Sequence, residues 1–594
     1  MIIHYKNKRL ENILIAVNVL VAGFVAASFV MLFGFDEPLL PRYILYTVQA
    51  ALLCVFIVEK LLRMFNSFST KEFLRANWFE IPLLLGLIVA VFGAGRWFAK
   101  EDYVVIRQVS IGIYLVLQVV IKVCRTVVNL AASGKNPMQT LIASFLVLIL
   151  VGAGLLTLPR ASAVGGRVSF VDSVFTATSA VCVTGLVVRD TGNDFSLMGQ
   201  VIILSLIQLG GLGIVVFGAV FALLLGQALS LSESVAMQDM LNARTLSQIG
   251  KIIVFIFITT IVVEAIGALS MLGMWDDVPG QVTNIHQQWY YSIFHSISAF
   301  CNAGFCLFTN SFVSYNKSWN IYAVICPLII LGGLGFGVLY DLVNIVIDRV
   351  KCFFKWQFNK QYRLSQQAPK RMHLQSKIVL SVSALLIVLG AAAIFLLEHY
   401  SVGGKGETSI LGALFQSITA RTAGFNTVNV AEMSTSSRFV LILLMFVGGS
   451  PGSTAGGIKT VTLAVVVISA VATLRKRPEV EMFSRSVRLV VVGRAITITL
   501  LFVAVLFTAS LALSFTESGN ESAAMSDVFF EAASALGTVG LSTGITSSLT
   551  TAGKLIIVMV MLIGRLGPLT LLAALTFNLK PARYNYPQEA VIVG

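Results

Sequence analysis

A short motif that ends in glycine occurs four times in this chain at a nearly constant interval. Each copy begins with Ser-Ala or Thr-Ala, and the closing glycines are Gly185, Gly304, Gly424 and Gly540. Successive glycines are 119, 120 and 116 positions apart, and the third copy is one residue shorter than the others. Repetition at a fixed period indicates one structural unit that the chain uses four times.

The composition places these units in a membrane. Hydrophobic residues make up 57% of the chain and charged residues only 12%, whereas soluble domains carry about 25% charged residues. Many segments exceed the roughly 18 apolar residues that a membrane-spanning helix needs. The seven cysteines are dispersed and have neither the spacing of a disulfide framework nor that of a zinc site. We therefore expect a polytopic membrane protein.

The apolar segments fall into three groups. Four spans are predicted in the N-terminal part, near 11–34, 44–64, 78–95 and 104–130. Eight long spans follow, near 138–158, 197–226, 249–275, 319–347, 374–398, 437–471, 489–514 and 552–578. Four segments directly before the motifs are too short to span, near 170–182, 288–300, 408–420 and 525–536. Such short segments fit re-entrant pore helices.

Basic residues indicate the topology. The loop from Asp348 to Lys377 carries eight of them and the segment 475–494 carries six, whereas the loops beside the motifs are acidic or neutral. The positive-inside rule then places the motifs outside and both termini in the cytoplasm. Docking of an acidic partner is the alternative role of the basic loops.

The predicted fold is all-α and integral to the membrane. Each repeat contains a membrane helix, a pore helix, a filter loop and a second membrane helix, and the repeats surround one pore with pseudo-fourfold symmetry. The predicted boundaries are an accessory domain of about four helices over 1–135, followed by repeats over 136–230, 231–350, 351–475 and 476–594.

The motif composition favours binding of a monovalent cation by backbone carbonyls. Four loops can supply several oxygens without a net charge that would trap the ion, and glycine permits the φ > 0 that turns a carbonyl toward the axis. Each pore helix would direct its partly negative C-terminus toward the cation. The predicted ion-binding residues are Val183, Thr184, Gly185, Asn302, Ala303, Gly304, Thr422, Ala423, Gly424, Thr538, Val539 and Gly540.

A second fourfold pattern follows about 25 residues later. It reads GGLG over 210–213 and over 332–335, GSPG over 449–452 and GRLG over 564–567. In repeats 1 and 2 we interpret the glycines as close helix packing. In repeat 3 the density of glycine and proline predicts an interrupted helix that acts as a gate. The predicted gate residues are Gly448, Gly449, Ser450, Pro451, Gly452, Ser453, Thr454, Gly456, Gly457, Lys459 and Arg565.

Two charged residues inside spans leave alternatives open. Arg565 is either an electrostatic barrier to cations or a structural residue that forms a salt bridge or hydrogen bonds to loop carbonyls, and both roles can hold together. Glu264 is either a proton or cation relay or a hydrogen-bonded buried carboxyl, and we leave it out of the site.

These stretches resemble the Trk/Ktr/HKT superfamily of potassium transporters, most closely the bacterial Ktr membrane subunit. The resemblance covers about residues 136–594 and is carried by 175–187, 417–427, 449–460, 537–543, 564–570 and the tail 586–594. It implies potassium bound at the filter glycines as substrate, a gate around 448–457 that Arg565 faces, and a homodimer in the bacterial inner membrane. It also implies a separate cytoplasmic RCK-type subunit that binds the nucleotide, since no dinucleotide-binding motif occurs in this chain.

The N-terminal part departs from that family. Residues 59–63 and 77–80 vaguely resemble voltage-sensor helices, but the fourth span offers only Arg107, Lys122 and Arg125, whereas a sensor needs regularly spaced arginines. A packing, assembly or regulatory domain is favoured.

Three functions remain to be compared. They are potassium uptake driven by the membrane potential, with sodium or proton coupling left open, a cation channel controlled by the N-terminal domain, and a non-transporting assembly subunit. The intact motifs argue against the third function. No enzyme motif, covalent cofactor or nucleic-acid partner is indicated.

Overall fold

The computed structural model describes residues 6–76, 80–89, 106–119, 137–163, 167–213, 246–278, 282, 284–358, 371–400, 408–477, 479–519, 524–569 and 572. The predictions for Lys122, Arg125 and the C-terminal tail 586–594 lie outside these ranges. So do parts of the predicted spans near 78–95, 104–130, 197–226 and 552–578.

The N-terminal part is helical where it is described. Its helices are Lys8–Phe33, Arg42–Asn66, Thr70–Ala76, Glu80–Ile88 and Ile106–Val119. The first two are long and apolar enough to cross a membrane. They are joined by Arg63, whose Nη2 lies 3.3 Å from Glu11 Oε1, and by Asn18, which donates to Glu59. Within the second helix, Arg63 Nε also lies 2.8 Å from Glu59 Oε1. The backbone N–H of Arg160 donates to Gly34 O at 3.2 Å, which connects this part to the first repeat.

The remaining helices form four similar units, which we call repeats 1 to 4. Each has a first helix, a short helix and a second helix. In repeat 1 these are Pro137–Leu156, Phe170–Val181 and Leu197–Leu212. In repeat 2 they are Leu246–Met271, Ile285–Phe300 and Trp319–Leu334, followed by Phe336–Phe358. In repeat 3 they are Leu374–Tyr400, Ile410–Thr419 and Thr435–Phe446, followed by Thr460–Leu474. In repeat 4 they are Leu489–Thr516, Met525–Gly537 and Thr551–Leu566.

A two-stranded antiparallel hairpin precedes repeat 4. Its strands are Val480–Met482 and Arg485–Val487, with Val480 opposite Val487.

The four repeats close into a ring. Each short helix packs against the first and second helices of its own repeat. Each second helix also packs against the short helix of the next repeat, and the second helix of repeat 4 packs against the short helix of repeat 1. The short helices have 10 to 16 residues. At 1.5 Å per residue they cannot cross a hydrocarbon core about 30 Å thick.

Side-chain caps begin most of these helices. Ser169, Asn284 and Ser409 each accept a backbone N–H in the first turn of the short helices of repeats 1 to 3. Ser196, Ser434 and Thr550 do the same for the second helices of repeats 1, 3 and 4. Serine, threonine and asparagine are preferred at this position because they satisfy N–H groups that the helix leaves free.

Three predicted continuous helices are broken at the second fourfold pattern. The helix predicted near 197–226 ends at Leu212, the one predicted near 319–347 bends by 104° at Gly335, and the one predicted near 552–578 ends at Leu566. The final glycine of each pattern, at 213, 335, 452 and 567, has a φ between +71° and +84°, which ends a right-handed helix. The placement of these patterns inside uninterrupted helices was therefore wrong. The interruption predicted within 437–471 is confirmed, between Phe446 and Thr460.

The first glycines of the pattern do provide close packing. A β-carbon built on Gly210 would collide with Val181 O, and one built on Gly332 or Gly564 would collide with the equivalent carbonyl of its own repeat. The second helix thus lies directly on the C-terminus of the short helix. The predicted domain boundaries stay a prediction.

Candidate functional site

The twelve residues predicted to bind an ion lie in four motif loops, 183–185, 302–304, 422–424 and 538–540, and these loops meet in one ring. A β-carbon built on Gly304 would lie 2.6 Å from Ala423 O, and one built on Gly424 would lie 2.5 Å from Val539 O. The same construction on Gly185 meets Ala303 O, and on Gly540 it meets Thr184 O, at closer range. Each glycine therefore abuts a carbonyl of the next repeat, and the fourth repeat returns to the first.

The backbone of all four loops has the same unusual conformation. The glycines have φ between +69° and +90°, and the residue two positions earlier also has positive φ, at Val183, Asn302, Thr422 and Thr538. A non-glycine residue in this region costs about 1–2 kcal/mol. Positive φ at the first and third positions of every loop turns the backbone in the same way in all four repeats, so this strain has the same geometric result in each repeat.

Hydroxyl groups at the start of each motif hold these loops. Ser179 Oγ accepts from the N–H of Gly185, and Ser534 Oγ accepts from that of Gly540, both at 3.1 Å. In the other two repeats the hydroxyl donates instead: Ser298 to Phe305 O and Thr419 to Phe425 O, both at 2.8 Å. Our sequence prediction noted the shared serine or threonine but did not include it in the site.

The ring offers uncharged oxygen ligands. None of the twelve loop residues is ionisable, and the short helices end at the ring, so their partly negative C-termini face it. Among the described residues, no group of three or more His, Cys, Asp or Glu could hold a metal ion. Backbone carbonyls of this kind can replace the hydration shell of a monovalent cation.

The interrupted segment of repeat 3, residues 447–459, forms a loop beneath this ring. Thr454 Oγ1 donates to Gly332 O at 3.1 Å, and Ser450 Oγ donates to Leu334 O at 2.5 Å. The backbone N–H of Phe336 donates to Gly452 O at 3.0 Å. The loop is therefore bonded mainly to the break in the second helix of repeat 2, and we call it the repeat-3 loop.

Arg565 joins the repeat-3 loop to repeat 1. Its Nη1 donates to Thr454 O, and its Nη2 donates to Gly210 O at 2.5 Å and to Gly211 O at 3.4 Å. The guanidinium thus lies between the loop and the end of the second helix of repeat 1. Of the two roles left open by the sequence, the geometry directly provides the bonds to carbonyls, and a positive charge is present at the same place.

The other predicted gate residues lie in or beside the same loop. Lys459 Nζ donates to Ala455 O at 2.7 Å, so this ammonium stays within the loop. Ser453 Oγ donates to Ser450 O at 2.7 Å. The structure therefore brings Gly448, Gly449, Ser450, Pro451, Gly452, Ser453, Thr454, Gly456, Gly457, Lys459 and Arg565 to one place.

Arg421 contacts the repeat-3 loop and was missed. Its Nη2 donates to Ser383 Oγ at 3.1 Å and to Gly448 O at 3.4 Å. The available signal was a charged residue inside a motif that is uncharged in the other three repeats.

Glu264 lies outside the ring and is hydrogen-bonded. Gln208 Nε2 donates to its Oε2 at 3.3 Å, and Cys301 Sγ is 4.0 Å from its Oε1. This geometry agrees with the hydrogen-bonded carboxyl that the sequence left as one of two alternatives.

A family model and several curated relatives match most of this chain. The family model TrkH, described as cation transport protein, matches residues 109–584. The chain is 35% identical over 464 residues to the potassium/sodium uptake protein NtpJ of Enterococcus hirae, which covers 77% of this chain and 97% of that protein. It is 36% identical over 468 residues to the Ktr system potassium uptake protein B of Vibrio alginolyticus, covering 78% and 96%.

The solved structure of the potassium transporter TrkH from Vibrio parahaemolyticus has the same fold. It superposes with a TM-score of 0.58 at 18% identity and covers 84% of this chain and 96% of its own. This likeness, the family match and the apolar helices together make the chain a multi-pass membrane protein. The chain belongs to the TrkH family of cation transport proteins.

Proposed function

We propose that this chain takes up potassium ions across a bacterial cytoplasmic membrane through one pore, in which the four motif loops are the selectivity filter. The observation that carries the proposal is the closed ring in which each filter glycine abuts a carbonyl of the next repeat. The names of the relatives support it, because NtpJ is a potassium/sodium uptake protein and the Ktr proteins are potassium uptake proteins.

The filter glycines are the proposed potassium sites. Because the ring has no room for a β-carbon, a side chain at any of the four positions would displace the neighbouring carbonyl. Carbonyl number and spacing govern discrimination between potassium and sodium, so glycine in all four repeats supports selectivity for potassium.

The repeat-3 loop is the proposed gate. It lies beneath the filter and is held by side-chain and backbone hydrogen bonds to repeat 2 and by Arg565 of repeat 4. Release of these bonds would let the loop move, and Arg565 would place a positive charge in the path of the cation while the loop is closed.

Assembly and control complete the proposal. The chain works as a homodimer in the lipid bilayer, with both termini cytoplasmic, and a separate RCK-type subunit binds the regulatory nucleotide. The basic loops within 348–377 and 475–494 support this orientation through the positive-inside rule. Uptake is driven by the membrane potential, with or without sodium or proton coupling, and a cation channel controlled by the N-terminal domain is the alternative function.

The test is ion flux in liposomes that contain the purified chain. Wild type is compared with Gly185→Ser and with Gly154→Ser, a matched control because no atom lies within 4 Å of a β-carbon built on Gly154. We expect potassium flux to exceed sodium flux in wild type and in the control, and the ratio to fall in Gly185→Ser.

Two results would overturn the proposal. The first is an unchanged potassium-to-sodium ratio in folded Gly185→Ser. The second is no flux from folded wild type, both alone and with an added RCK-type subunit and its nucleotide.

A further inference from the structure

His295, on the short helix of repeat 2, is buried and bonded through both ring nitrogens. Its Nδ1 lies 2.8 Å from Tyr291 O, and its Nε2 lies 3.2 Å from both the backbone nitrogen of Leu307 and Cys306 Sγ. Leu307 is three residues after the filter glycine of this repeat. The imidazole therefore holds the backbone that leaves the second filter loop.

The partners determine which nitrogen carries the proton. Tyr291 O can only accept, so Nδ1 must donate, and the N–H of Leu307 can only donate, so Nε2 must accept. The single lone pair of Nε2 is then shared between this N–H and the thiol of Cys306, which lies at the same distance. The arrangement needs a neutral imidazole with its proton on Nδ1. Nε2 is then the acceptor for the backbone that directly follows the filter glycine, residues 305–308, which we call the exit segment.

Neighbouring groups keep this arrangement rigid. The imidazole is stacked on Phe308 with centroids 5.5 Å apart, and Trp275 and Phe312 lie within 5.2 Å of its centroid. On the other side, a β-carbon built on Gly192 of repeat 1 would lie 2.9 Å from the carbonyl carbon of Leu307. The exit segment therefore packs between His295 and repeat 1.

The equivalent position in repeat 4 has a related contact. Glu531, like His295, is nine residues before its filter glycine. It accepts from Ser542 Oγ and from the backbone N–H of Thr543, which are two and three residues after that glycine. Repeats 2 and 4 are opposite each other in the ring. In both of them a buried polar side chain holds the exit segment, the backbone that directly follows the filter glycine.

The other two repeats lack this contact among the described residues. Gln416 and Thr176 occupy the equivalent positions. The amide of Gln416 has no hydrogen-bond partner in the described part of the chain, and neither has the Thr176 hydroxyl. The four filter loops are therefore alike at the glycines and differ in the side chain that holds the exit segment.

We propose that His295 is a positioning residue for ion selectivity. The acceptor at its Nε2 fixes the exit segment and thereby fixes the position of the second filter loop. The proposal rests on the proposed function, since it concerns the selectivity of the same pore. His295 lies behind the filter loop, so in this proposal it acts through the backbone and does not itself bind the ion.

The test separates the two ring nitrogens. In His295→Gln the amide reaches the position of Nε2 and keeps an acceptor for Leu307, whereas in His295→Asn the shorter amide reaches only the position of Nδ1. One lost hydrogen bond corresponds to about a threefold to tenfold change. We expect the potassium-to-sodium permeability ratio in liposomes to fall by that factor in His295→Asn and His295→Leu, and to stay near wild type in His295→Gln. Gln416→Leu is the matched control and should keep the wild-type ratio.

Each outcome has a defined meaning. If wild type itself does not select potassium, the proposed function fails. If wild type is selective and folded His295→Asn and His295→Leu keep its ratio, the role of His295 is refuted. Misfolding of both variants while His295→Gln folds would assign the acceptor to stability alone and would also refute the proposal. An equal loss in Gln416→Leu would do the same, because any change behind the filter would then suffice.

Discussion

Replacement of Arg565 by glutamine should increase cation flux. The guanidinium donates to the carbonyls of Thr454 in the repeat-3 loop and of Gly210 and Gly211 in repeat 1. It therefore ties the loop to a helix end in another repeat. Glutamine is neutral and shorter, so the variant loses the charge and most of these bonds together.

The size of the effect follows from these contacts. Hydrogen bonds to a charged group contribute about 1.5–3 kcal/mol each, so the bonds to Thr454 and Gly210 together contribute about 3–6 kcal/mol. The contact to Gly211 is long and is left out. Water can bind the freed carbonyls and glutamine can keep one neutral bond, which reduces the net loss to about 2 kcal/mol. Since about 1.4 kcal/mol corresponds to a factor of ten, we expect flux to rise about tenfold to thirtyfold.

The assay is rubidium or potassium flux per folded molecule in liposomes, with thermal unfolding as the measure of folding. Arg565→Lys distinguishes the two roles of the residue, because lysine keeps the positive charge but loses the planar fork of donors. If the hydrogen bonds dominate, Arg565→Lys should resemble Arg565→Gln. If the electrostatic barrier dominates, it should resemble wild type. Flux equal to or below wild type in folded Arg565→Gln would refute the reasoning.

Two further predictions concern other contacts. Ser450→Ala removes the bond to Leu334 O, worth about 1 kcal/mol, and should raise flux roughly fivefold; unchanged flux would show that this bond does not restrain the loop. Asp172, in the first turn of the re-entrant short helix of repeat 1, is paired with Lys554 at 2.8 Å and with Arg189 at 3.3 Å. Burial tends to raise the pKa of Asp172, but hydrogen bonds from Lys554, Ser169 and Arg189 outweigh it and hold the pKa below its ordinary value of 3.8. The stability from this pairing is therefore present above that value and is lost as pH falls through the lowered pKa. Lys554→Met should lower Tm clearly at pH 7 and progressively less as the pH is lowered below 3.8, and a loss of equal size across this pH range would contradict the pairing.

Local patterns in the sequence predicted the repeated helical architecture, although not where every helix ends. The constant interval between the glycines predicted four equivalent units, and the hydropathy predicted spanning and re-entrant helices. Both depend on periodicity and segment length, which a sequence carries directly. The interruption between Phe446 and Thr460 was also predictable, because glycine and proline disfavour a helix wherever the chain is placed.

Helix ends were less predictable. A glycine such as Gly335 can lie inside a helix as a packing residue or end it with positive φ, and the sequence around it is the same in both cases. The close approach of Gly332 to the end of the short helix and the 104° bend at Gly335 occur within one four-residue pattern. Only the packing of the whole repeat decided that Gly332 contacts the short helix and that Gly335 ends the second helix.

The partners of the site residues were decided by the tertiary structure alone. The sequence identified Arg565 as an expensive charge in a span, but its acceptors are backbone carbonyls of residues 454, 210 and 211, more than 100 positions away. Every residue has a carbonyl, so no residue type marks the acceptor. The partners of His295 were not predictable either, because they are determined by how the short helix packs against the exit segment of its own repeat. The sequence thus determined the fourfold ring and the interrupted helix, and the packing of distant backbone segments determined which bonds hold them.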